Sequence, residues 1–459
     1  MNVSLAEIAA AVGCPEVEHS PMVTSVVSDT RQVSAGALFV CIQGEHVDGH
    51  SFAAQAVAAG AVAVLAEKPV AAVNAPVLLV PNSVAALGRI AAFWRKSSKA
   101  QVVGITGTAG KTTVKEVLSQ IVSACGATAK NELNMNNQIG MPTCMLRTTG
   151  QEAFWIFEAG ISHEKDMDEL GSVLRPDLAL ILNAGTGHIE GLGKMGVAWH
   201  KARLLCHLAP QGQALVCADY PDLAREAQKN FPAVRFFSAR DAQAEFYAQP
   251  LGMNAAGQGE YSVRLGQQTF VVQTPFCGSY GAENVAAIAA AAYLLGIDVP
   301  HIQQGFARAH LPQQRFACHC IKGLTLIDDS YNANPLSMNR MLDAAKEKAG
   351  QQPLYLVLGE MRELGACAEQ EHEALGRHVA ALTPKAFFWK GGQVEAVQRG
   401  LTAGGYSGAV HRVHTAQEFL PLFVDTFLSK GVEGTVLFKG SHSNHLEEMV
   451  QVCMSWLEK

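Results

Sequence analysis

The sequence predicts an α/β protein of three domains, and three features carry that expectation. At 459 residues and 49% apolar content, the chain is long enough for several hydrophobic cores. From Ser83 onward, unbroken apolar runs alternate with amphipathic helical patterns, which argues for parallel sheets covered on both faces. Near residues 244–275 this alternation gives way to strands with Gly-rich turns, and after Pro312 it starts again. The expected division is a small N-terminal α/β domain over 1–82, a central parallel-sheet domain over 83–312 and a C-terminal Rossmann-like doubly wound domain over 313–459.

Each element follows from its pattern. In the first domain the apolar runs "GALFVCI", "AVAVLAE" and "APVLLVP" read as strands and "SFAAQAVAAG" as a helix. The helix "SVAALGRIAAFWRKSS" then leads into the strand "QVVGIT", and the strands "AFWIFEAG", "LALILNAG" and "QALVCAD" follow with helical stretches such as "GVAWHKARLLCHL". The segment "GMNAAGQGEYSVRLGQQTFVVQ" reads as an antiparallel appendage. In the last domain "LTLIDDS", "PLYLVLGE", "KAFFW" and "TVLFKGS" are strands, while "SMNRMLDAAKEKAG" and "AEQEHEALGRHVAAL" are helices. Two α/β domains side by side leave a cleft, and ligands favour clefts.

Composition narrows the function. A net charge of −6 without a long basic run gives no electrostatic footprint for nucleic acid. Eleven scattered cysteines with no C-x-x-C pair fit a reducing compartment, and Cys318-His319-Cys320 is read as packing rather than a zinc site. The N-terminal "MNVSLAEIAAAVG" lacks a basic region and is not read as a signal peptide. The longest apolar run, residues 285–297, is Ala-rich and too short to span a bilayer. The expectation is a cytoplasmic protein with no membrane and no nucleic-acid partner.

The chemistry concentrates in "VVGITGTAGKTTVKEVL", residues 102–118. A strict P-loop reads G-x-x-x-x-G-K followed by Ser or Thr, and Ile105 stands where its first Gly should be. Even so, a Gly-rich turn between a strand and a helix directs backbone N–H groups and a helix N-terminus outward, which suits phosphate. Lys111 would reach the β- and γ-phosphates, and the hydroxyl of Thr112 or Thr113 would ligate Mg²⁺. Glu158 ends an apolar strand, where a carboxylate is costly without a partner, and is read as a metal ligand. Asn183, His188 and Glu190 fall on the same sheet edge. Lys201, from spacing alone, reads as a solvated helix lysine.

These residues resemble the Mur ligase family, whose loop has the common form G-x-x-G-T-x-G-K-T and so accounts for the departure at Ile105. "SDTRQVSAGALFVCIQGEHVDGHSFAAQA" resembles that family's N-terminal domain, which holds the UDP part of a nucleotide-sugar. "NELNMNNQIGMP" (131–142), "DDSYNANPLSM" (328–338) and "EMRELG" (360–365) are similar to the branch that adds D-alanyl-D-alanine, and the D-N-P-R motif of the branch adding the third amino acid is absent.

The resemblance implies an ATP-dependent ligase joining D-alanyl-D-alanine to UDP-N-acetylmuramoyl-tripeptide through an acyl phosphate, in peptidoglycan synthesis. Gly107, Thr108, Ala109, Gly110, Lys111, Thr112 and Thr113 would bind the ATP phosphates. Thr112 and Glu158 would hold one Mg²⁺, and Glu158 and His188 a second. Lys201 matches a lysine carbamylated by CO₂, which would also serve the second ion. Asn284 would meet adenine, and Arg315, Asp329, Tyr331 and Asn332 would close on the nucleotide. Ser28, Asp29, Arg31, Asp48, His50 and Phe52, with Asn134, Asn136 and Asn137, match substrate-binding regions. A monomer is expected.

Two departures stand out. Gly278-Ser279-Tyr280-Gly281 replaces the family's frequent G-x-H-N, and Lys439-Gly440-Ser441-His442 replaces K-G-S-R. The readings kept beside this one are a sister ligase adding a different amino acid, a P-loop kinase and a nucleotide-binding protein without catalysis. Lys111, Thr112, Glu158, His188 and Lys201 are all present, which weighs against the last.

Overall fold

A computed structural model describes residues 1–185, 192–193, 195–254, 257–428 and 433–458. Among them the strands form four sheets. Near the N-terminus, Val3–Ser4 and Met22–Val23 make a two-stranded antiparallel ladder. Ser25–Val27, Ala37–Val40, Ala61–Ala66 and Val77–Leu79 then form a parallel sheet in sequence order. The helix Leu5–Val12 also packs here, capped reciprocally by Ser4 and Glu7.

The central sheet has nine strands. Its middle is the parallel set Gln213–Cys217, Leu178–Ile181, Gln101–Thr106 and Phe154–Glu158, in that spatial order. The two-residue period of these strands divides their side chains between two cores. Val102, Trp155, Phe157, Ala179 and Ile181 face one core, whereas Val103, Ile105, Ile156, Leu178 and Leu180 face the other. Both faces are therefore dry, which is why the runs are apolar without interruption.

The segment read as an antiparallel appendage is antiparallel, yet it belongs to this same sheet. Phe246–Met253 pairs parallel to Arg235–Ser238, and Gly259–Leu265 and Gln268–Thr274 continue the sheet to its edge. The helix Gly278–Leu294, holding most of the apolar run, lies buried against it. Its alanines allow a close approach to the strands. No helix of the described residues is long and apolar enough to cross a membrane.

The chain then passes Gln314 and Phe316, both non-glycine residues at positive φ (58° and 60°), into a six-stranded sheet. There Leu324–Asp329, Gly434–Lys439, Leu354–Gly359, Ala386–Lys390 and Ala409–Arg412 run parallel, and Ala317–Ile321 is an antiparallel edge strand. Cys318 and Cys320 project from that edge to solvent, which overturns their reading as packing residues.

Candidate functional site

The strand Gln101–Thr106 ends at the Gly-rich turn, and the helix Lys111–Ser123 starts there. Gly110 precedes that helix at φ 85°, a conformation favouring glycine, and a Cβ on it would come 3.0 Å from Asn284 Oδ1. Parallel pairing aligns the neighbouring strand ends with the turn: Ile105 lies opposite Glu158 and Thr106 opposite Ile181. The loop, Glu158 and Asn183 thus share one edge, as the sequence predicts.

Asn183 shapes the loop. Its Oδ1 accepts from Ala109 N–H at 2.8 Å, its Nδ2 donates to Ala109 O at 3.0 Å, and its carbonyl accepts from Thr108 N–H at 3.2 Å. Lys111 Nζ donates to Gly107 O at 2.8 Å. Burial pushes the Lys111 amine below its ordinary pKa, against the pull of the Glu158 carboxylate.

Glu158 is 1% exposed. One carboxylate oxygen accepts from Asn136 Nδ2 at 2.7 Å, while Oε2 is buried with no hydrogen-bond partner among the described residues. The ammonium of Lys115, itself fully buried, stands 3.8 Å from that oxygen and donates to Asn131 O at 2.6 Å. An orphaned anionic oxygen is costly in a protein interior and is the kind of donor a hard cation takes.

Lys201, on the helix Gly196–Ala202, is 2% exposed and so is not the solvated lysine that its spacing suggests. Burial first, and then the charge on Lys111, push its pKa well below that of a free lysine. No ion pair reaches it from the described residues. His188 and Glu190 lie outside the described residues.

The central and C-terminal sheets face each other across a cleft of about 780 Å³. Thr108 to Thr113, Glu158 and Lys201 line it from one side, with Asn134, Asn136 and Asn137 beside them. Arg315, Asp329, Tyr331 and Asn332 line it from the other. Asn136 is tied to Glu158, and Asn137 Oδ1 accepts from the N–H groups of Ile139 and Gly140 at 3.2 and 2.8 Å. The Arg315 guanidinium lies 4.1 Å from the Tyr331 ring centroid.

Asp329 accepts from Phe316 N–H at 2.9 Å and pairs with the buried Lys439 at 2.6 Å; Lys439 also donates to Asn332 O at 2.9 Å. Burial lowers the Lys439 pKa and the Asp329 carboxylate opposes that shift. Sequence reasoning weighed K-G-S-H only for its last residue and missed Lys439. Tyr280, Arg362 and His442, which fall within segments the sequence singles out, also line the cleft, as does Arg340, which no motif marks.

The remaining candidates sit elsewhere. Gly107 does not line the cleft, and neither does Asn284, which is 1% exposed with both amide atoms lacking hydrogen-bond partners among the described residues. The six N-terminal candidates are also outside it. Asp29 caps a short turn and pairs with Arg31; Asp48 caps another, accepts from His50 and pairs with Lys68 at 2.8 Å. Phe52 packs on the N-terminal core, and Ser28 is not among the described residues that line the cleft.

Comparison with known proteins agrees with this geometry. Residues 105–292 match the Mur ligase middle domain, residues 22–95 the Mur ligase family catalytic domain and residues 314–442 the Mur ligase glutamate ligase domain. The UDP-N-acetylmuramoyl-tripeptide–D-alanyl-D-alanine ligase of Escherichia coli K12 is 32% identical over 93% of this chain and 93% of its own. A crystal structure of MurF from Acinetobacter baumannii superposes with a TM-score of 0.88 at 26% identity, covering 100% of this chain and 99% of that one. MurF from Thermotoga maritima in complex with ADP shares the fold, with a TM-score of 0.84 at 24% identity over 95% and 98% of the two chains. The chain belongs to the Mur ligase family.

Proposed function

We propose that this chain joins D-alanyl-D-alanine to UDP-N-acetylmuramoyl-tripeptide at the expense of ATP, making the pentapeptide precursor of peptidoglycan. The observation that carries the site assignment is the orphaned Glu158 oxygen beside the lysine-bearing Gly-rich loop, at a cleft between two sheets. Full-length similarity to ligases of that specificity supports the choice of substrates.

In this reading the N–H groups of the loop and the N-terminus of the helix Lys111–Ser123 hold the ATP phosphates, and Lys111 neutralises the γ-phosphate. The terminal carboxylate of the tripeptide attacks that phosphate, giving an acyl phosphate and ADP. The dipeptide amine then attacks the acyl carbon, phosphate leaves and an amide remains. No side-chain nucleophile is required. Arg315, Tyr331, Asp329 and Asn332 face the nucleotide from the other wall, where a closed cleft keeps water from the acyl phosphate.

Glu158 and Thr112 would hold Mg²⁺, which supplies charge neutralisation between two anionic reactants. The buried carboxylate with a free oxygen fits such an ion. Lys201 fits carbamylation: burial favours its neutral amine, which adds to CO₂ and loses a proton to become an anion able to serve a second Mg²⁺ together with Glu158 and His188. Asn134, Asn136 and Asn137 lie where the acceptor peptide would approach, and the N-terminal sheet with Ser28, Asp29, Arg31, Asp48, His50 and Phe52 would take the UDP end. Asn284, whose amide lies close to Gly110, would meet the adenine.

The test is phosphate release by purified protein with Mg²⁺, ATP and UDP-N-acetylmuramoyl-tripeptide, with and without D-alanyl-D-alanine, the product being read by mass. Release that needs both acceptor and dipeptide and yields the pentapeptide is expected. Release with neither, or a phosphorylated product, would return the chain to the NTPase or kinase reading.

A further inference from the structure

One helix of the C-terminal sheet, Pro335–Ala349, reaches the nucleotide loop by two routes. At its N-terminus the capping residue Asn334 donates directly to Thr108 O at 3.1 Å. The second route is indirect. Arg340, one and a half turns further on, pairs through Nη2 with Glu283 and with the hydroxyl of Tyr220. The other Glu283 oxygen accepts from Asn183 Nδ2 at 2.9 Å, and Asn183 Oδ1 holds the Ala109 N–H of the loop at 2.8 Å. Tyr220 OH completes the cluster by donating to Glu283 at 2.9 Å.

This chain of contacts joins two separately built sheets through polar groups of which Asn183 and Glu283 are buried and Arg340 and Tyr220 half-buried. A buried Arg–carboxylate pair is weak evidence for stability, because desolvation offsets most of its attraction. Here the cost is higher still, since Arg340 Nη1 is buried without a hydrogen-bond partner among the described residues. An apolar contact would join the sheets more cheaply. What the pair supplies is directional geometry, and its far end is the backbone N–H of a phosphate-binding turn.

We propose that Arg340 is a positioning residue: seated on Glu283 and Tyr220, it fixes the nucleotide loop through Asn183, so that the loop is fully formed only when the C-terminal sheet is docked. The inference rests on the nucleotide reading of that loop. It concerns how the two walls of the cleft communicate rather than which groups touch ATP.

Arg340→Met, Glu283→Gln and the double variant in the full chain test it. Glu283→Gln keeps an oxygen for Asn183 and loses the charge that Arg340 needs, so it serves as the second variant should Arg340→Met melt early. Two readouts are taken: amide exchange of the Ala109 N–H without nucleotide, and kcat with the KM values for ATP and for the UDP-linked acceptor. Each single variant should speed exchange and raise the KM for ATP by about tenfold, leave the acceptor KM unchanged, and make the double no worse than either single.

Exchange and ATP KM within about twofold of the parent, additive effects in the double, or equal weakening of ATP and acceptor would each overturn the proposal. If the parent itself releases no phosphate, the ligase reading fails, and the exchange readout still decides the coupling.

Discussion

The Lys115 ammonium and the Oε2 of Glu158 face each other at 3.8 Å in the protein interior, and no hydrogen bond among the described residues reaches that oxygen. Lys115 is anchored independently, by Asn131 O at 2.6 Å and by Glu116 at 3.3 Å. The lysine therefore balances the buried charge without filling its coordination. A divalent ion would take the free lone pairs, and the lysine would remain in place.

Glu158→Gln should then separate chemistry from folding. The amide keeps the shape and an oxygen for Asn136 but loses the anionic donor. Phosphate release at saturating Mg²⁺ should drop by about 100-fold, since charge neutralisation by metal is worth several kcal/mol in such transfers. Binding of the UDP-linked acceptor, measured by calorimetry, should persist. Turnover and Mg²⁺ dependence both within about twofold of the parent would show that Glu158 does not hold the ion.

Lys201 leads to a pH-dependent prediction. Its folded pKa is depressed well below 10.5, first by burial and then by Lys111, so the neutral amine is present over a pH range in which a free lysine is charged. Only that neutral form adds CO₂. Enzyme stripped of CO₂ in mildly acidic buffer should lose turnover and regain it on return to higher pH with bicarbonate, while Lys201→Ala should regain none. The check pairs rates with a ¹³C carbamate signal from labelled bicarbonate. A parent enzyme indifferent to bicarbonate and lacking that signal would remove the carbamate from the mechanism.

How much of this was legible beforehand depended on the range of the interaction. The central strands announced themselves because burial on both faces forces unbroken apolar runs, and the loop did so because phosphate binding needs Gly110 and Lys111 at fixed spacing. Spacing alone makes Lys201 a solvated lysine, because a lysine on a helix carries no mark of burial; the resemblance to the family assigns it to the site, and the tertiary fold buries it near Lys111. Lys439 and Arg340 were missed for the same reason, their partners Asp329 and Glu283 lying 110 and 57 residues away. Cys318 and Cys320 were misassigned because alternation gives a shared face but not whether that face is inward. The helix Leu5–Val12 is legible from its capping box, Ser4 with Glu7 three residues on, rather than from apolar periodicity.

His372 ties the stability of the C-terminal sheet to acidity. Its ring is fully buried, Nε2 accepts from Met361 N–H at 3.0 Å, and Nδ1 lies 2.7 Å from Ala368 O, an arrangement that needs neutral imidazole with the proton on Nδ1. Burial lowers its pKa below 6.5 despite the opposing hydrogen bond to Ala368. With the folded value depressed, the unfolded chain binds more protons just below 6.5. The stabilisation is therefore complete above that pH and is lost as pH falls toward the folded pKa, at up to about 1.4 kcal/mol per pH unit. Denaturant titrations between neutral and mildly acidic pH should show this slope in the parent and a shallower one in His372→Gln. Equal slopes would mean that His372 titrates alike in both states.

The departure at Gly281 has a steric cause. A Cβ at that position would lie 2.2 Å from the Tyr261 hydroxyl and 2.8 Å from Phe276 Cβ, both fully buried. Tyr261 cannot easily retreat, because its hydroxyl donates to Gly278 O at 2.9 Å, at the start of the helix that carries Glu283 and Asn284. The tyrosine thus occupies the volume a side chain would need, and the helix start is held by its hydroxyl. Gly281→Asn should cost about 1–3 kcal/mol by overpacking, read as a lowered melting temperature. Tyr261→Ala alone should also destabilise, through its cavity and the lost hydrogen bond. Combined, the two should cost less than their sum, because the asparagine then enters space the ring has left. Strict additivity in the double variant would mean that the two positions do not compete for that volume, and the steric account of Gly281 would fail.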